Sequence, residues 1–191
     1  MSHSMALTIR KLTLAPLMAA LMLIYLYCVR SDIFGSVQML VMQLLFLSIF
    51  PLFAYPLQPL IPRYREQGRE GQRHLAMLFA FIGYWFDCTF NFNLNVEKEL
   101  SMVGWVYLLS GVLILFLNCL CKLHVSGHAA GISAAASLPI ALGHPEVLLI
   151  GIPVMMLIFT ASIKSKRHTM PQLIEGALIP VILTLILVNF L

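Results

Sequence analysis

The stretches Lys122-Leu-His-Val-Ser-Gly-His128 and Lys164-Ser-Lys-Arg-His168 are short polar breaks between long apolar runs. Each ends in a histidine, and each carries lysine or arginine near that histidine. The flanking runs approach the roughly 20 apolar residues that a membrane-crossing helix needs. The two breaks therefore indicate places where helices end at a membrane surface and where polar side chains collect.

The composition of the chain excludes an ordinary soluble domain. Of its 191 residues, 60% are hydrophobic and only 10% are charged, whereas a soluble domain carries about 25% charged residues. So few charges do not cover a water-facing surface. We therefore predict an all-α, polytopic integral membrane protein that forms one domain over residues 1–191. The bilayer is its expected surrounding, and no nucleic-acid partner is expected.

Helix-length apolar blocks follow one another along the whole chain. The fifth and sixth blocks are short and are separated only by the turn at 143–146, so we predict six to seven transmembrane helices. The second block contains Pro51, Pro56 and Pro59 and is expected to be kinked. The candidate spans are roughly 12–30, 36–61, 75–93, 100–121, 127–142, 146–163 and 171–190.

The basic residues fall almost entirely on one predicted side of the membrane. That side carries the N-terminus and the loops after the second, fourth and sixth spans, whereas the other side has only Arg30 and Lys98. Because cytoplasmic loops are enriched in Lys and Arg, we expect this face to be cytoplasmic, in a prokaryotic cell membrane. A phosphate site in these loops would be a second cause of the same charge bias.

Ser126-Gly127-His128 immediately precedes an Ala-, Ser- and Gly-rich helix over 129–142. Ser126 is a suitable N-cap, free N–H groups at a helix start bind anions, and Gly127 allows an anion to approach the backbone. Taken alone, the pattern is equally typical of a simple capped helix with an interfacial histidine.

Three cations and His168 stand just before the last predicted helix, where Thr169 to Gln172 fits a capping box. A basic anchor attracted to anionic lipids has the same appearance. In the loop after the second span, the spacing of four would place three arginines on one helix face. They suit phosphate oxygens, although a solvated helix paired with glutamates is an alternative; they are Arg65, Arg69 and Arg73.

Together the three loops supply two histidines, two helix N-termini and many cations on one face. Phosphoryl transfer needs this inventory, because cations stabilise the phosphate oxygens while one group attacks and another protonates the leaving oxygen. The four cysteines form no CxxC pair and no metal-ligand spacing is present, so neither a metal nor a cofactor is expected. Asp87, an intramembrane acid, is interpreted as a hydrogen-bonded structural residue.

These residues resemble the type 2 phosphatidic acid phosphatase family, whose helical core is similar to that of vanadium haloperoxidases. The family carries Lys…Arg-Pro, then Pro-Ser-Gly-His, then Ser-Arg, five residues, His, three residues and Asp. Val125-Ser126-Gly127-His128 matches three of four positions of the second motif, and His168 matches the histidine of the third. The resemblance implies a core of this type over about 63–191, with His168 as the nucleophile that forms a phosphohistidine and His128 as the acid.

Two positions of the third motif differ from the family. Its arginine falls at Ser162 and its aspartate at Gln172, and the first motif is absent in its usual form. Gln172 has an oxygen that can orient the imidazole of His168, but it supplies no charge.

We therefore predict a metal-independent membrane phosphatase that hydrolyses a lipid phosphate or an isoprenoid (di)phosphate. Two alternatives stay open: a non-catalytic relative that binds lipid phosphates, favoured by Ser162 and Gln172, and a small transporter, hinted at by Asp87 and the prolines of the second span. The groups expected to bind the phosphate are Lys122, Ser126, Gly127, Lys164, Arg167, Arg65, Arg69 and Arg73.

Overall fold

The computed structural model describes residues 2–190, apart from the side chain of His3, and no β-strand occurs among them. Short 3-10 turns and one π-helical turn join some of the helices. In chain order the α-helices are α1 His3–Leu12, α2 Ala15–Val29, α3 Val37–Leu44, α4 Phe50–Leu52, α5 Ala54–Leu57, α6 Pro62–Glu66, α7 Gly68–Asn93, α8 Lys98–Cys119, α9 Gly127–Ala141, α10 Leu148–Lys164 and α11 Met170–Leu187.

Within the described chain, five helical segments are long and apolar enough to cross a membrane, and α1 with α2, bent by 45°, forms a sixth if the pair counts as one span. The all-helical, membrane-type architecture is thus confirmed, whereas the count of five, or up to six, leaves the predicted six to seven helices unconfirmed. The predicted span 127–142 is α9, whose 15 residues cover only about 22 Å of a core about 30 Å thick. The five segments are Val37–Leu60, Gly68–Asn93, Lys98–Cys119, Pro145–Lys164 and Met170–Phe190.

The short helix α9 lies at the centre of the bundle, in contact with α2, α8, α10 and α11. Its small side chains let the neighbours approach closely. A Cβ added at Gly131 would stand 2.2 Å from the Cβ of Ala15, and Ser133 Oγ donates a hydrogen bond to the Ala177 carbonyl at 2.6 Å. The segment is therefore apolar because protein surrounds it, which explains why hydropathy alone suggested a separate span.

The proline-rich second span is irregular, as predicted. After α3 the chain forms a π-helical turn at Leu45–Ile49, then α4 and α5, then a 3-10 turn at Gln58–Leu60. Pro51 has no N–H to donate to residue 47 and its ring crowds that carbonyl, so regular α-helical bonding cannot continue there.

Asp87 is fully buried, on the far half of α7 from the basic loops. Asn91 Nδ2 donates to Asp87 Oδ2 at 3.1 Å, and Gln43 Nε2 donates to Asn91 Oδ1 at 2.7 Å. This network joins α3 to α7, in agreement with the structural interpretation of Asp87.

Candidate functional site

The structure brings the basic loops to a single cavity of about 800 Å³. The first helix, the start of α7, the start of α9 and the segment between α10 and α11 meet at its mouth. Because these elements come from widely separated parts of the chain, the site exists only in the folded bundle. Its polar lining residues at this end are Arg10, Lys11, Arg69, Glu70, Gln72, Arg73, Gly127, His128, Arg167 and His168.

The loop that carries His128 is held from two sides. Asn118 Nδ2, at the end of α8, donates to the Val125 carbonyl at 3.2 Å, and the Ser126 N–H donates to the Gln172 carbonyl at 3.0 Å. Ser126 is buried and caps α9 by accepting from the Ala129 N–H at 3.3 Å, so the predicted N-cap is confirmed. His128 is thereby fixed in the first turn of α9.

Thr13 sets the tautomer of His128. Its Oγ1 donates to the Ile9 carbonyl at 2.8 Å and lies 3.2 Å from His128 Nε2. Since the hydroxyl has one proton and that proton is used, the contact requires Nε2–H of His128 to be the donor. This assignment comes from the hydrogen-bond network.

His168 lies at the cavity just before α11. The predicted capping box is present, with the Thr169 N–H donating to Gln172 Oε1 at 3.1 Å. Gln172 Nε2 also reaches the Leu123 carbonyl at 3.5 Å. Within the described residues, Nδ1 of His168 is buried and has no partner at hydrogen-bonding geometry. The side chain of Gln172 is nevertheless near enough to raise the pKa of His168.

The imidazole of His168 is kept neutral by its surroundings. Burial lowers the pKa of His168 most, and the charge of Arg10 lowers it next. Gln172 and the backbone of His124 raise this pKa, Arg73 lowers it, and the result is about 4. A histidine that is neutral at pH 7 has the free electron pair that a nucleophile needs.

The guanidinium groups at the mouth are not neutralised by protein. Within the described chain, no carboxylate, not even that of Glu70, lies within 4.0 Å of the arginines that line the cavity. Burial, and then the charge of Arg69, lower the pKa of Arg167. Nη1 of Arg10 donates to Oγ of Ser162, on α10. The cavity mouth is therefore strongly cationic.

Several predicted residues lie outside this lining. Arg65 and Lys164 are exposed at the ends of α6 and α10, and Lys122 is exposed with a φ of 55°. Ser126 and Gln172 support the loops rather than line the cavity. Two lining or supporting residues, Arg10 and Thr13, were not predicted as site residues, because nothing local in the sequence indicates which helix packs beside the histidines.

Below the cationic mouth the cavity continues as an apolar arm between α7 and α8. From Arg73 to Tyr84 it follows α7 for about 16 Å. The arm is lined mainly by apolar and aromatic side chains, including Met77, Phe81, Tyr84, Tyr107, Ile114 and Leu115. The cavity thus joins a polar, cationic end to an apolar end.

Comparison of the chain with protein-family models, curated proteins and solved structures identifies no match. Across residues 2–190, no three His, Cys, Asp or Glu side chains are grouped closely enough to hold one metal ion. The class that the fold and site define is an all-helical, membrane-type protein with two histidines at one cavity, beside arginines that have no carboxylate partner among the described residues.

Proposed function

We propose that this protein is a membrane phosphatase that hydrolyses a lipid phosphate or an isoprenoid (di)phosphate at the cytoplasmic face, with a core like that of the type 2 phosphatidic acid phosphatases. The observation that carries the proposal is that His168 and His128 line one cavity, whose mouth holds arginines without carboxylate partners. The apolar arm supports a substrate with a hydrocarbon chain, since each buried methylene contributes about 0.8 kcal/mol.

The phosphate is held at the cationic mouth. Arg69, Arg73 and Arg167 present guanidinium groups, which match phosphate oxygens in pairs. Gly127 adds the N-terminus of α9, and a Cβ there would meet open space, so an oxygen can approach its N–H. These groups stabilise the negative charge that spreads over the phosphoryl oxygens during transfer.

In the first step, neutral His168 attacks phosphorus. Nδ1 is buried, so Nε2 forms the N–P bond while the bond from phosphorus to the lipid oxygen breaks. In the free protein, burial most of all, and then the charge of Arg10, lower the pKa of His128 to about 3. The negative charge of the bound phosphate raises that pKa. The imidazolium keeps Nε2–H on Thr13 and gives its other proton to the leaving oxygen, so that the lipid alcohol, or the lipid monophosphate from a diphosphate, departs. His168 then carries the phosphoryl group and His128 is neutral.

In the second step, water attacks the phosphohistidine. Neutral His128 takes a proton from the water, a P–O bond forms and the N–P bond breaks. Inorganic phosphate leaves, and both histidines return to their starting states. The net reaction adds one water and yields phosphate together with the alcohol, or with the lipid monophosphate when the substrate is a diphosphate.

One observation favours a second candidate, a non-catalytic protein that binds lipid phosphates. The side chain of Gln172 is engaged with Thr169 and Leu123. Among residues 2–190, no carboxylate lies within 4.0 Å of the His168 ring to stabilise its positive form. Such a protein would bind the same headgroups without releasing phosphate.

Phosphate release by the purified protein in detergent with EDTA tests the proposal. The substrates are phosphatidic acid, phosphatidylglycerophosphate and a prenyl diphosphate, and the variants are His168→Ala and, as a matched control, His74→Ala, an exposed histidine outside the cavity. We expect turnover of at least one substrate, a loss of about 1,000-fold or more in His168→Ala and no change in the control. Turnover that survives His168→Ala contradicts the mechanism, and absence of turnover favours the second candidate.

A further inference from the structure

Arg10 connects the first helix to the site. It lies in the last turn of α1, which packs along α10, and its Nη1 donates to Oγ of Ser162. Ser162 is fully buried, so the half-buried Arg10 side chain is anchored against α10 while it lines the cavity. The guanidinium of Arg10 thus contacts a residue that lies 152 positions later in the sequence.

The charge of Arg10 is not compensated by protein. Among residues 2–190 no carboxylate lies within 4.0 Å of it, and Arg167 and Arg69 are near enough to repel it. Holding a half-buried guanidinium beside two like charges is unfavourable unless an anion lies between them. The arrangement therefore favours a highly charged anion, such as a terminal phosphate, at this point of the cavity.

Arg10 also stands beside both histidines. Thr13, one turn further along the same segment, contacts His128 Nε2 at 3.2 Å. At His168, only burial acts on the pKa more strongly than the charge of Arg10. The bend of 45° between α1 and α2 lets this segment reach the two groups at once.

We propose, on the basis of the proposed function, that Arg10 is the guanidinium that grips the substrate's terminal phosphate, supplied by the first helix instead of by position 162. Ser162 holds Nη1, and the remaining N–H groups of the fork bind the non-bridging oxygens. The resembled family carries its arginine at the position of Ser162. In this protein Arg10 and Ser162 are in contact. The guanidinium of Arg10 therefore lies beside position 162, although Arg10 is near the other end of the sequence.

Binding of inorganic phosphate to the purified protein, measured by titration calorimetry in detergent, tests the role of Arg10 independently of turnover. The variants are Arg10→Ala, Arg10→Lys and the double variant Arg10→Ala with Ser162→Arg. Arg63→Ala is the matched control, because Arg63 is exposed and lies outside the cavity.

We expect Kd to rise about 30-fold or more in Arg10→Ala and about tenfold in Arg10→Lys, with no change in Arg63→Ala. The double variant is expected to recover most of the affinity, since it returns a guanidinium to the same place. Wild-type affinity in Arg10→Ala, or in Arg10→Lys if the alanine variant does not fold, overturns the proposal. A folded double variant that binds no better than Arg10→Ala also overturns it, because Arg10 would then act only by holding α1 against α10.

The two proposals fail in different ways. If wild-type protein releases no phosphate but Arg10→Ala loses phosphate binding, the anion site stands and the phosphatase proposal is rejected. If phosphate release depends on His168 but Arg10→Ala keeps both binding and release, the phosphatase stands and the role of Arg10 is rejected.

Discussion

At the scale of single residues, the protonation state of His168 decides whether the site has a nucleophile. The partial burial of the ring and the nearby charge of Arg10 both disfavour the imidazolium form, and the pKa of His168 is lowered to about 4. An ordinary histidine has a pKa near 6.5. His168 is therefore expected to stay neutral over the range in which a free imidazole becomes protonated.

This difference predicts the pH dependence of His168 reactivity. Carbethoxylation by diethyl pyrocarbonate requires neutral imidazole, so the relative rate at His168 should stay level from pH 7 down to about 5 and fall around pH 4. The measurement is mass spectrometry of the peptide carrying His168, with Nα-acetylhistidine as reference, whose rate falls near 6.5. A half-maximal rate near 6.5 at His168 would contradict the neutral, buried environment.

Local sequence patterns predicted the two histidines of the site but not the arginine that lowers the pKa of His168. His168 and His128 were predicted because their neighbours along the chain carry caps and cations, which are local signals. Arg10 was not predicted as a site residue; the N-terminus was considered only as part of the basic face. Its contact with Ser162 depends on the packing of α1 along α10, and no local pattern encodes that packing.

At the scale of elements, the close contact between α11 and the loop before α9 holds the two histidine segments together. A Cβ at Gly176 would stand 2.4 Å from the Ser126 carbonyl oxygen. This loop also receives the hydrogen bond between the Ser126 N–H and the Gln172 carbonyl. The small residue at position 176 is therefore a condition for the site to form.

Gly176→Ala is expected to destabilise the protein by about 1–3 kcal/mol, because backbone must shift to admit the methyl group. Thermal unfolding in detergent measures the change. Gly127→Ala is the matched control, since its Cβ would meet open space and its cost should remain within about 0.5 kcal/mol. Equal midpoints for the two variants would show that this contact is not tightly packed.

The helix caps and the bounds of α9 were predictable, but the burial of α9 among other helices was not, for a physical reason. Ser126 and the Thr169–Gln172 box satisfy N–H groups within one turn, so a short sequence motif is enough to predict each cap. Whether an apolar segment faces lipid or protein depends on its neighbours. The segment 127–142 is rich in Ala, Ser and Gly, which suits burial among helices better than contact with lipid.

At the scale of the whole molecule, the packing brings the cavity mouth to one end of the bundle. Thr13, just before α2, contacts His128, whereas Cys28 lies at the opposite end of α2, about 22 Å away along the helix. Cys121 follows α8 near the polar loop that leads to His128. Both cysteines are exposed, so they are natural reporters for opposite ends.

Single-cysteine variants that keep only Cys28 or only Cys121 test the proposed sidedness. If the basic face is cytoplasmic, a membrane-impermeant maleimide added to intact cells should label Cys28 and leave Cys121 unlabelled until the membrane is opened. Labelling of Cys121 alone from outside would place the cavity mouth on the external face. Labelling of both from outside would contradict the arrangement of α2 across the membrane.

The convergence of three basic loops on one face follows from counting spans and is present in the structure, even though the number of helices that qualify as spans is five or six. The count mattered less than the order, because α9, although short, still runs from one end of α2 to the other. His128 at its start contacts Thr13 before α2, and Arg30 after α2 donates to the Leu142 carbonyl at its end. The apolar arm, by contrast, is lined by residues of α7, α8 and α9. It therefore depends on packing between elements that are distant in sequence.

Trapping of the covalent intermediate tests the central claim most directly. The purified protein is mixed with the lipid phosphate that it turns over, quenched in alkali after milliseconds to seconds, and digested for mass spectrometry. The account predicts a phosphoryl group on the peptide containing His168 of the wild-type protein and none in His168→Ala. Turnover without this adduct, or with the phosphoryl group on another residue, would contradict the assignment of His168 as the nucleophile.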